Sequence, residues 1–67
     1  MRKIAQMSIE ELYQAYREAP VSDCQRIGKV WLVRASMKRD AGESYEIELA
    51  AARQWLVSVA EEMRAAR

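Results

Sequence analysis

The residue best suited to covalent chemistry in this sequence is Cys24. A thiolate is a nucleophile, and Arg26 nearby at the start of a helix has the ingredients to lower the thiol pKa. A single cysteine on an apolar helix face is, however, usually a small buried hydrophobe, and that is the reading adopted. The carboxylates include two adjacent pairs, Glu10-Glu11 and Glu61-Glu62. Adjacent residues on a helix point to different sides, so neither pair converges on a substrate as a general acid and base must. The chain has no histidine, and its only glycines are Gly28 and Gly42. It therefore lacks an imidazole base and a phosphate-cradling loop. One cysteine with scattered carboxylates makes no structural zinc site. The sequence predicts no catalytic residue, no cofactor and no metal, and so no enzyme.

The remaining chemistry is charge. Arg26, Lys29, Arg34, Lys38 and Arg39 make the middle of the chain basic, while Glu10, Glu11, Glu18, Glu43, Glu46 and Glu48 make its flanks acidic. A basic helix could lie on nucleic-acid phosphates, with Lys29, Arg34, Lys38 and Arg39 as the contacts. Pairing with the acidic neighbours is the competing reading. It is preferred because the basic residues spread round the helix and apolar residues lie among them. A net charge of +1 excludes a strongly basic nucleic-acid binder by bulk charge.

Three helices must position these residues. Ser8-Ile9-Glu10-Glu11 is a capping box, with Met7 and Leu12 spaced as a hydrophobic staple. Ile9, Leu12, Tyr13, Tyr16 and Ala19 then share one face of a helix over about 9–19, which Pro20 ends. Ser22 with Gln25 three residues later signals a second helix over about 23–40, and Gly42 falls where a left-handed cap belongs. On this helix Cys24, Ile27, Gly28, Trp31 and Ala35 share one side. Val30, Val33 and Met37 lie well round from it, and Leu32 is on another flank. Gln25, Lys29, Ser36 and Asp40 form the only fully polar edge. Apolar residues on more than half the circumference predict a helix central in a bundle. Residues 1–7 read as an arm, frayed or tied down on the body.

The third helix, about 45–66, carries the clearest pattern. Tyr45, Leu49, Ala52, Leu56, Val59 and Met63 recur at heptad spacing, and Trp55 widens the stripe. This seam is either core within one chain or the contact between two. A single 67-residue domain with one cysteine has no disulfide to stabilise it, which leaves oligomerisation as the remaining staple. The expected fold is all-α: a short N-terminal helix and a long antiparallel helical hairpin, paired into a homodimeric bundle. Apolar residues are 51% and charged residues 31% of the chain, which fits a globular rather than a disordered protein. No apolar run is long enough for a membrane span, and none follows Met1-Arg2-Lys3 as in a signal peptide, so the expected location is the cytoplasm. The expected role is a non-catalytic interaction module that binds another protein, with Tyr13, Tyr16 and Trp31 as candidate contacts. An inhibitor or regulator encoded by a phage or mobile element fits it. A small transcriptional regulator using the basic helix is the alternative.

Overall fold

The computed structural model describes residues 3–65. They form an all-helical fold, a 3₁₀ turn (Ile4–Gln6) followed by α1 (Ile9–Glu18), α2 (Asp23–Asp40) and α3 (Glu46–Ala65). No strand occurs among the described residues. The first two residues of the expected arm, and Ala66 of the expected third helix, lie outside that range.

Local signals set the helix ends. The Glu11 amide donates to the Ser8 hydroxyl and the Ser8 amide donates back to the Glu11 carboxylate, both at 3.3 Å. This reciprocal box satisfies two groups that a helix start would otherwise leave bare. Ala19, held extended before Pro20, ends α1. Ser22 caps α2 by accepting from the Gln25 amide at 3.2 Å. At the other end Glu43 N donates to Lys38 O at 2.8 Å and Gly42 N to Arg39 O at 3.0 Å. Those two bonds are a Schellman motif, and Gly42 supplies its left-handed residue with φ +75°.

The core is small and draws on all three helices: Ile9, Leu12 and Tyr16 from α1, Leu32 and Ala35 from α2, and Ala52, Leu56 and Val59 from α3. Its closest approach is at Gly28. The Tyr16 ring crosses α2 there, so that its hydroxyl donates to the Ala52 carbonyl, and the Trp55 Cβ comes in from α3. Burial and the loss of a solvated phenolate push the Tyr16 hydroxyl up to about 12. The arm is tied down: Ile4 and Met7 pack on the core, and the Arg53 guanidinium donates to the Met7 carbonyl at 2.8 and 3.1 Å.

Helix α2 corrects the sequence reading in two places. Gln25, placed on the polar edge, is buried, and its amide donates to Tyr16 O at 3.2 Å. That carbonyl lies in the last turn of α1 and has no helical partner of its own, so Gln25 serves as a C-terminal cap for α1. Leu32, placed on a separate flank, sits in the middle of the core with no exposure. A narrow stripe, Gln25, Gly28, Leu32 and Ala35, is what α2 turns inward. Within one chain the rest of α2 stays uncovered: Ile27, Val30, Val33 and Met37 all face water.

Candidate interaction surface

The exposed side of α2 is built by the same geometry that buries the other. Residues 30, 33 and 37 follow at spacings of three and four, so they stack along one line of the helix. Val30 is 53% exposed, Val33 40% and Met37 66%. Val21, 71% exposed in the connection before α2, extends this line past the helix start. Val21, Val30 and Val33, with Gln25, Arg26, Lys29 and Arg34, line a groove of about 600 Å³.

The cations of α2 divide into two groups. Lys38 and Arg39 are used inside the molecule. Lys38 Nζ sits 2.6 Å from Glu48 Oε1, and Arg39 pairs with Glu10. Glu48 is buried under this contact with its second oxygen unpartnered. The hydrogen bond from Lys38 holds its carboxyl below the usual carboxylate value. Of the four candidate nucleic-acid contacts, then, these two are committed to carboxylates. The other two, Lys29 and Arg34, border the apolar line. No ion pair engages Lys29 among the described residues, and Arg34 lies over the Trp31 ring at 5.4 Å. Arg26, at the N-terminal end, meets Asp23 only at 3.9 Å with both side chains in water, an arrangement that contributes little.

The other sequence candidates fall elsewhere. Tyr16 has no exposure, so it cannot touch a partner; it belongs to the core because its ring must cross Gly28 to reach the Ala52 carbonyl. Tyr13 and Trp31 are half-buried against the core. In the seam of α3, Ala52, Leu56 and Val59 are buried within the chain, and Tyr45, Leu49 and Trp55 are half-buried. Met63, the last seam residue, is 51% exposed. Cys24 is half-buried, and its thiol is pushed up, first by a hydrogen bond to Glu62 and then by burial. The proximity of Arg26 does not produce a thiolate. No group of three or more metal-ligating side chains forms among the described residues, and no helix there is long and apolar enough to cross a membrane.

The residues that sequence reasoning passed over are Val30, Val33 and Met37. Their spacing was visible, but they were assigned to burial. No protein family, curated protein or solved structure matches the chain.

Proposed function

We propose that this chain is a non-catalytic protein–protein interaction module whose contact surface is the outer face of α2. A single observation carries the reading: the core closes without Val30, Val33 and Met37, which leaves an apolar line in water beside a groove. Apolar patches of this kind on small proteins mark interaction sites. The α2–α3 pair serves as the rigid support. The Lys38–Glu48 contact between α2 and α3 supports this reading of the pair as an antiparallel hairpin. A small cytoplasmic regulator or inhibitor of phage or mobile-element origin would act in this way, by occupying a surface of its target. The homodimeric bundle would occupy the same exposed line and so competes with this reading.

A DNA-binding regulator using Lys29, Arg34 and Arg26 is the alternative. It is disfavoured because the centre between these cations is aliphatic and offers no hydrogen bond to a base edge or phosphate. The test of the module reading is affinity capture from the cells that encode the chain, run in parallel with Val30→Glu/Val33→Glu. The expected result is a partner retained by the wild type and lost from the variant at unchanged melting temperature. Identical capture by both proteins would refute the assignment of the surface.

A further inference from the structure

We infer that the occupant of this face is an acidic amphipathic helix belonging to a different protein. The inference rests on the module reading above and narrows it to one kind of partner. The shape argument comes first. From Val30 to Met37 the line runs roughly 10 Å at 1.5 Å per residue, the length of about two helical turns, and Ile27 and Val21 continue the exposed apolar surface towards the start of α2. A single apolar line of that length is what an amphipathic helix packs against through its own i, i+3, i+4, i+7 positions.

Charge then selects among helices. Lys29 stands on one flank of the line, Arg34 on the other, and Arg26 at its N-terminal end. The groove lining includes no carboxylate. A partner with Glu or Asp beside its apolar stripe would meet these cations as flanking charges meet across paired helices. A helix flanked by Lys or Arg would place like charges together on both sides.

The same reasoning disfavours a second copy. In a symmetric antiparallel pairing of α2 with its copy, meeting Val30 with Val33 puts Lys29 opposite Arg34, and the two-fold axis repeats the clash. The exposed apolar residue on the back of α3, Ile47, lies close in sequence to Glu43 and Glu46 and makes no comparable line.

The experiment uses the full chain, isotope-labelled for amide NMR, and two synthetic helical peptides of about 18 residues. Both carry the same leucine stripe; one is flanked by Glu and the other by Lys. At ~150 mM salt, where exposed charges still interact over about 8 Å, the Glu peptide is expected to bind at least about ten-fold more tightly. Its amide shifts should centre on Val30, Val33 and Met37. Lys29→Glu/Arg34→Glu, which alters only exposed side chains, should reverse the preference. Equal affinity, preference for the Lys peptide, shifts centred elsewhere, or binding by neither peptide would overturn the inference. So would a dimer by light scattering that Val30→Glu converts to a monomer, since the face would then belong to a second copy. The capture experiment with Val30→Glu/Val33→Glu fails or succeeds independently of these outcomes, so loss of the acidic-helix inference is separable from loss of the module reading.

Discussion

Gly28→Ala is the substitution that most directly tests how the three helices meet. A Cβ added at Gly28 would stand 2.7 Å from the Trp55 Cβ and well inside contact distance of the Tyr16 hydroxyl. The Trp55 Cβ is fixed to the α3 backbone, so no rotamer change relieves that contact and α2 must move away from α3. The Tyr16 hydroxyl can move, but only by leaving the Ala52 carbonyl. Overpacking of this kind costs about 1–3 kcal/mol. A buried hydroxyl left without its acceptor costs about 1–3 kcal/mol more. Against both stands the helix preference for alanine over glycine, about 1 kcal/mol. The sum is a net loss of about 1–5 kcal/mol, in a domain whose stability is roughly 3–10 kcal/mol from its length. A middle value of ~3 kcal/mol lowers Tm by roughly 12–24 °C.

Urea and thermal unfolding followed by circular dichroism measure the effect, and a double-mutant cycle assigns it. Tyr16→Phe alone should cost about 0.5–1.5 kcal/mol for the lost hydrogen bond. Combined with Gly28→Ala it should cost less than the sum of the two by more than ~0.5 kcal/mol, because the hydroxyl in the way has gone. The Trp55 contact keeps the double variant below wild type. A Gly28→Ala protein stabilised by about 1 kcal/mol, as an open helical glycine would be, refutes the packing described. A strictly additive cycle refutes the part played by Tyr16.

Leu56→Ala, in the buried middle of the α3 seam, should lose about 2–5 kcal/mol in urea unfolding; an unchanged midpoint would show that the seam is not filled from within the chain. Because the Glu48 carboxyl lies below its ordinary value of 4.5, its contribution is present above that value and is lost as pH falls through the depressed one. Wild-type Tm should therefore drop more steeply in acid than that of Glu48→Gln, and parallel curves would contradict the Lys38 contact. The Tyr16 hydroxyl, raised from 10.0 to about 12, behaves in the opposite sense: its contribution is complete below pH 10 and is lost as pH rises towards 12. The alkaline fall in Tm should be shallower in Tyr16→Phe, as a pH series in the two proteins would show.

The parts of this fold that could be read from the sequence are those written in neighbouring residues. The Ser8–Glu11 box, the break at Pro20 and the left-handed Gly42 each need only a few consecutive positions, and each is where the pattern placed it. The inward face of α2 was not legible, for a physical reason. Its buried stripe holds a glutamine and a glycine, which score as weakly apolar or polar, whereas the row at 30, 33 and 37 scores as core. What reverses the assignment is α1. The Tyr16 ring needs the space at Gly28, and the Tyr16 carbonyl needs the Gln25 amide, nine residues away. Both requirements come from packing between helices, and no periodicity within α2 contains them. Reading Tyr16 as a surface anchor was the same error seen from α1.

That reversal is also what gives the outer face its meaning. Single exposed apolar residues are ordinary on a folded surface, and Ile47 on α3 is one of them, 79% exposed beside an acidic stretch. Helix α2 differs in having several such residues on one line, with Lys29, in no ion pair among the described residues, at its edge, while Lys38 and Arg39 are turned to Glu48 and Glu10. Fold stability does not call for this arrangement. The core closes on Leu32 and Ala35 from the opposite side of the helix. Substitutions confined to the outer line should therefore leave stability within about 0.5 kcal/mol, which allows Val30→Glu/Val33→Glu to separate folding from binding. Residues that the fold can do without, placed where a second helix would pack and flanked by Lys29 and Arg34, are best accounted for by what they touch outside the chain.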